Sequence, residues 1–190
     1  MPSWSNPYVA RDVIEQERAR LPDRVFRQEF GGEFIEGAGQ VFRGIHDAAT
    51  GEVHPYDPTE TYAKGLDLAK VVDFTVAVVM DSKKRVVHFD RFHRLDWSLQ
   101  IARIKAASER YGRPRIFVDT TGAGEPIYEA LCREGLYVQA YPFTASSKAA
   151  LIDHLSLLLE RREITLPRPD LCPDLIDELD AFEFSVSEAG

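Results

Sequence analysis

An acid inside an apolar run limits what a chain can fold into, because a core strand excludes a charge that nothing compensates. Gly65-Leu66-Asp67-Leu68-Ala69-Lys70, followed by Val71-Val72-Asp73-Phe74-Thr75-Val76-Ala77-Val78-Val79-Met80, reads as a strand, a turn and a second strand, with Asp67 set within it. The pattern returns at Arg115-Ile116-Phe117-Val118-Asp119-Thr120-Thr121-Gly122, where Asp119 ends another β-rich run and Gly122 begins a loop. Two carboxylates at the ends of two buried strands form a cradle for a divalent cation, which takes hard oxygen ligands.

A length of 190 residues suits one domain with a full core, and 44% hydrophobic with 28% charged residues excludes a disordered chain. Cys132 and Cys172 lack the paired spacing of a zinc site and read as free thiols of a reducing compartment. The polar start Met1-Pro2-Ser3-Trp4 and the absence of a long apolar run predict a soluble, intracellular protein with no membrane association. A net charge of −8 excludes a uniformly basic nucleic-acid binder but not a local basic face. Residues 83–94 concentrate five Lys or Arg and two His, including Lys83, Lys84 and Arg85. They form either a charged hairpin edge protected from aggregation or a phosphate contact.

Along the chain, residues 11–20 form a charged helical pattern that packs through Val13 and Ile14, and 44–62 read as a Gly- and Pro-containing loop. These divisions predict an N-terminal arm and linker over 1–61 and a compact domain over 62–190. Strands are expected at 62–69, 74–81 and 85–93 as an antiparallel meander, the last two joined by Asp81-Ser82-Lys83-Lys84. Asp96 is a plausible N-cap for a helix whose Leu99, Ile101, Ile104 and Ala107 recur at helical spacing. Strand 115–119, helix 125–134, strand 136–141 and helix 147–161 follow. The fold class is α/β, a ribonuclease H-like mixed five-stranded central sheet with helices on both faces. In that topology the acids of the first and fourth strands, here Asp67 and Asp119, lie side by side at the sheet centre.

The ordered set of motifs resembles the C-terminal nuclease domain of bacteriophage large terminase subunits. Ser5-Asn6-Pro7-Tyr8, Phe26-Arg27-Gln28-Glu29-Phe30-Gly31-Gly32-Glu33-Phe34 and Gln40-Val41-Phe42 are similar to the segment by which that family leaves its ATPase domain. Gly65-Leu66-Asp67-Leu68-Ala69-Lys70 with Asp73-Phe74-Thr75, and Val118-Asp119-Thr120-Thr121-Gly122-Ala123-Gly124, resemble its first two acidic motifs. Ser147-Lys148 with Leu151-Ile152 and Leu155, and Glu178-Leu179 before Phe182-Glu183-Phe184, resemble its later helices and strand. Two departures stand out. No Gly-x-x-x-x-Gly-Lys-Ser/Thr loop occurs, so the ATPase half is absent from this sequence. The third metal-binding aspartate of the family is expected beyond Gly190.

The resemblance implies two Mg²⁺ or Mn²⁺ ions about 3.5–4 Å apart that hydrolyse a phosphodiester. Asp67 would bridge them and Asp119 would hold one, the plain alternatives being a buried structural Asp and a turn cap. Asp73, six residues after Asp67, either faces the same pocket as a catalytic group or forms an Asx-turn. Lys70 and Lys148, with Lys83, Lys84 and Arg85, are candidates for contacting DNA phosphates. Gly122-Ala123-Gly124 opens a helix whose N–H groups suit a phosphate or merely shape a turn. Asp174, Asp177, Glu178 and Asp180 form either a solvated acidic face or a substitute for the missing ligand. His46, His54, His88, His93 and His154 show no metal-ligand spacing.

The function implied is metal-dependent endonucleolytic cleavage of concatemeric double-stranded DNA during packaging, in the host cytoplasm at the procapsid portal. The implied partners are an ATPase domain, the portal and the small terminase subunit, with the isolated domain a monomer. Within the fold class a Holliday-junction resolvase or transposase is a rival, as is an actin-like ATPase, since Asp-Thr-Thr-Gly-Ala-Gly resembles a phosphate loop. A catalytically weak DNA-binding or motor-docking module is the alternative of a different kind.

Overall fold

A computed structural model describes residues 1–33, 40–52, 54–68, 73–120, 124–141 and 143–183. β1 (Tyr62–Asp67), β2 (Thr75–Asp81) and β3 (Val86–Phe92) form the antiparallel meander, and β4 (Arg115–Val118) and β5 (Val138–Ala140) run parallel to β1 in the order β3-β2-β1-β4-β5. The expected mixed five-stranded sheet is therefore present, with β1 at its centre. β1 carries the parallel–antiparallel junction because it ends at Asp67 and β2 begins at Thr75, too few residues for a crossover helix, whereas β4 returns beside it only after the crossover helix α4 (Trp97–Arg110).

α4 and α5 (Gly124–Arg133) cover one face of the sheet, packing Ile104, Ile127 and Leu131 on Leu66, Ala77, Ile116 and Val118. Asp96 caps α4 as expected, its side chain accepting from the Leu99 N–H at 3.0 Å. The buried stripe of α4 differs from the expected one: it is Gln100, Ile104 and Ser108, while Leu99 is 54% exposed. The cause lies in the strands beneath. β1 and β2 present Lys64 and Thr75 to the helix, and buried polar groups need partners. Thr75 Oγ1 donates to Gln100 Oε1 at 2.9 Å, and Lys64 Nζ donates to the Ile104 carbonyl at 2.8 Å and to Ser108 Oγ at 3.2 Å.

The other face is covered by α6 (Ala145–Glu160), α7 (Pro173–Asp180) and, unexpectedly, residues from the region read as arm and loop. Val41, Phe42, Ile45, Ala48 and Ala49 are buried against Leu159, Ile164, Leu166 and Ile176, and the short helix α3 (Ile45–Ala48) occupies the start of the expected loop. Gly51 N donates to Leu166 O at 2.8 Å, so close that a Cβ there would sit 2.9 Å from the same oxygen. Residues 41–51 are thus part of the compact core, and Gly44 and Gly51 mark a turn and a close approach rather than a solvated linker.

Farther out, α1 (Arg11–Arg20) and α2 (Asp23–Glu29) pack through Ile14 and Phe26, with Val13 46% exposed. Phe26 stacks between Trp4 and Phe30, at centroid distances of 6.3 and 5.3 Å. Both cysteines are free. No helix among the described residues is long and apolar enough to cross a membrane.

Candidate active site

The register that pairs Leu66 with Val118 in parallel brings the next residues, Asp67 and Asp119, together where the two strands end. Carboxyl ends of neighbouring parallel strands are where α/β sheets open to ligands. Leu66 points into the α4–α5 core, so the alternation of the strand turns Asp67 to the α6 face. The Asp67 carboxyl is held above the ordinary carboxylate range, first by its partial withdrawal from water and then by the charge of Asp119. Lys148 and the Leu68 N–H oppose that shift, and Asp73 adds to it more weakly. The whole residue Asp67 is nevertheless solvent-accessible, so the site is reachable while its carboxyl is poorly hydrated.

Lys148 owes its place to the start of α6. Thr144 Oγ1 accepts from the Ser147 N–H at 3.1 Å and Ser147 Oγ accepts from the Thr144 N–H at 2.9 Å, a reciprocal cap that fixes the first turn and sets Lys148 over the cleft. That cleft, about 800 Å³, is lined by both acids, Lys148, Gly65, Val76, Val78, Phe117, Tyr141, Phe143 and Leu151.

A carboxylate pair whose charges repel across a poorly hydrated gap suits a hard divalent cation. Asp67 and Asp119 are the residues that would hold it. Among the described residues no group of three or more His, Cys, Asp or Glu side chains is close enough to bind a metal, so Asp73 and the α7 acids do not join the pair. Asp174, Glu178 and Asp180 of α7 are engaged elsewhere. Glu178 and Asp174 pair with Arg91 at 2.9 and 3.6 Å, and Asp180 meets Gln40 and His46, each at 2.9 Å.

The remaining candidates fall into two groups. Lys83, Lys84 and Arg85 sit at the β2–β3 turn, beside the start of β1 and about 17 Å of strand away from Asp67. Each is paired there, Lys83 with Glu60, Lys84 with Glu163 at 2.8 Å and Arg85 with Asp81 at 2.6 Å. The structure does not bring them to the acids. Lys70, Gly122 and Ala123 lie outside the described residues, as do Phe34 and Phe184.

Sequence reasoning missed the apolar half of the cleft and placed Arg91 only within the basic run 83–94. Asp67, Val76 and Arg91 lie on one rung across β1, β2 and β3, and the Arg91 guanidinium sits 3.4 Å over the Phe74 ring. The signal for Arg91 was its place in β3, two strands from Asp67. For Tyr141 and Phe143 it was an aromatic pair directly after the last strand.

The Terminase RNaseH-like domain family matches residues 56–184. The large terminase subunit of Thermus virus P23-45 is 32% identical over 199 residues, covering 99% of this chain and 40% of that protein. The chain therefore spans about 40% of the length of the curated relatives it matches. The crystal structure of the large terminase nuclease from thermophilic phage G20c with bound magnesium superposes with a TM-score of 0.71 at 29% identity, covering 82% of this chain and 86% of that one. For the Thermus phage P74-26 large terminase nuclease domain the TM-score is 0.68 at 30% identity, covering 80% and 83%. A β1–β4 carboxylate pair on a mixed five-stranded sheet, together with these matches, makes this chain a member of the terminase family of ribonuclease H-like nuclease domains.

Proposed function

We propose that this domain is a divalent-metal-dependent endonuclease that hydrolyses phosphodiester bonds of double-stranded DNA for a phage packaging motor. The observation that carries the reading is the β1–β4 register that sets Asp67 beside Asp119, where withdrawal from water and then the charge of Asp119 disfavour the charged Asp67 carboxyl. Relatives of the family support the metal, since the G20c nuclease has been crystallised with magnesium, zinc and cobalt. Mg²⁺ or Mn²⁺ bound at Asp67 and Asp119 would supply an activated water and neutralise charge on the phosphate.

The residues themselves then bind and orient. Asp67 and Asp119 would hold the cation, and Lys148, lining the same cleft, would offer a positive charge to a phosphate oxygen. Asp73, close enough to raise the Asp67 carboxyl, biases the local field toward cations and takes a catalytic role only through that field or a water. In this proposal residues 62–190 carry the nuclease site with 41–51 packed into the same core, and the rest of 1–61 is the arm that leads from an ATPase domain. Portal and small terminase subunit would be partners at the procapsid in the host cytoplasm, and the isolated domain would be a monomer.

One observation favours a second reading, a DNA-binding or motor-docking module with weak catalysis: only two carboxylates meet among the described residues. Plasmid relaxation separates the two. Nicking that requires Mg²⁺ or Mn²⁺, stops with EDTA and is lost in Asp67→Asn supports the nuclease, and DNA binding without nicking at any metal concentration supports the module.

A further inference from the structure

We propose that the apolar half of the cleft is a nucleobase subsite, which takes the unstacked base of a nucleotide flanking the scissile phosphate. The inference rests on the nuclease reading and makes locally opened duplex the preferred substrate. It begins with Gly65. This glycine occupies the interior of the central strand, is solvent-exposed, and has no backbone angle that only glycine adopts. A Cβ built on it would meet no atom within 4 Å. Glycine inside a strand costs roughly 0.5–1 kcal/mol against alanine, so the fold gains nothing from it. What it leaves is open floor.

Around that floor the walls are flat and apolar. Val78 and Phe117 flank Gly65 in register on β2 and β4. Tyr141 and Phe143 meet edge to face at 5.5 Å and 71°, and Phe143 and Leu151 keep 38% and 44% of their surface in water at the rim. Asp67 stands two residues from Gly65 on the same strand face, on the order of 7 Å along the strand. A sugar spans such a gap, so a phosphate at the carboxylates and Lys148 brings its own base over the Gly65 floor.

The chemistry of the rim selects this occupant over an apolar side chain of another protein. Among the described residues the charged side chains bordering the floor, Asp67, Asp119 and Lys148, are those suited to a metal-bound phosphate, and the phenol of Tyr141 is the one hydroxyl in the lining. Every base has a π-face, and stacking on aromatic rings contributes roughly 1–3 kcal/mol without regard to sequence. A base inside a duplex cannot reach the floor without leaving its stack, which costs a few kcal/mol and least where pairing is already broken. The subsite thus favours opened DNA, with stacking rather than base-edge contacts as its main attraction.

Two measurements test it on the same protein. In the first, a short single-stranded oligonucleotide carrying one 2-aminopurine is titrated with the domain in Ca²⁺, and emission is followed. Stacking on the floor quenches the fluorophore, and Gly65→Val, which fills the floor while keeping or raising the melting temperature, abolishes the quenching. Phe143→Ala, a rim change that leaves the core untouched, weakens it and serves as the second variant if Gly65→Val does not fold. In the second, cleavage in Mn²⁺ is compared on a duplex and on the same duplex with a short unpaired bubble. The wild type cuts within the bubble at least about tenfold faster, and Gly65→Val loses most of that preference. Equal rates on the two substrates, or quenching that survives Gly65→Val and Phe143→Ala, overturn the subsite while leaving the nuclease intact. Gly65-dependent quenching with no cleavage of any DNA would instead sink the nuclease reading and keep the subsite.

Discussion

Asp67 and Asp119 stand side by side at the carboxyl ends of parallel strands, and withdrawal from water followed by the charge of Asp119 holds the Asp67 carboxyl above its ordinary range. The folded state therefore binds a proton at Asp67 more tightly than the unfolded chain does. Stability falls as pH rises from the ordinary carboxylate value, about 3.9, to the raised one, and the penalty persists at neutral pH. Asp67→Asn removes it. In metal-free buffer at pH 7 the variant is expected to melt above the wild type, and the difference to vanish in acid below the ordinary carboxylate range. A lower melting temperature for the variant at pH 7 would mean that the carboxylate is structurally satisfied.

Beneath α4 a second ionisable group runs the other way. Lys64 is fully buried, and burial lowers its pKa to about 8, with Asp90 opposing the shift. The folded state gives up that proton more readily than the unfolded chain, so stability at this position increases from pH 8 up to the ordinary lysine value near 10.4. The effect is bounded by about 3 kcal/mol. Urea titrations at pH 7.5 and 9.5 are expected to show the wild type gaining stability relative to Lys64→Met. Parallel pH profiles would place the ammonium in water.

The reciprocal cap at the start of α6 ties stability to the site. Thr144→Ala removes the acceptor for the Ser147 N–H and should cost about 1 kcal/mol. Because Lys148 follows by one residue, fraying also loosens the positive charge over the cleft. Metal-dependent cleavage is expected to drop with little change in metal affinity, measurable by plasmid nicking beside calorimetry. A variant as stable and as active as wild type would show the cap to be dispensable.

Phe42 tests where the folding unit begins. It is 3% exposed and packs on Phe182 at 5.2 Å between centroids, inside the core that includes Leu159 and Ile176. Phe42→Ala should cost about 3–5 kcal/mol, and a chain beginning at Tyr62 should lose cooperative melting. A sharp thermal transition for residues 62–190 alone would return 41–51 to the arm.

Much of this architecture was legible in the residues. Apolar runs interrupted by Asp67 and Asp119 pointed to the strands and the acid pair together, because a buried strand holds a charge only where a partner or a ligand compensates it. Asp96 marked the start of α4 for a local reason that tertiary packing did not disturb. The face that α4 buries was not legible, since it follows from Lys64 and Thr75, about 40 and 25 residues before the groups they bond. Residues 41–51 read as a loop for a related reason: Gly44 and Gly51 serve close packing on Leu159 and Leu166, more than a hundred residues later. The cleft joins β1, β4 and the start of α6, and only the folded register shows Gly65 beside Phe117.

The central claim is that Asp67 and Asp119 hold a catalytic divalent cation, and calorimetric Mn²⁺ titration paired with plasmid nicking tests it most directly. The wild type is expected to bind Mn²⁺ and nick supercoiled DNA, while Asp67→Asn and Asp119→Asn, each folded by circular dichroism, lose both metal heat and nicking. Undiminished nicking by either folded variant would contradict it.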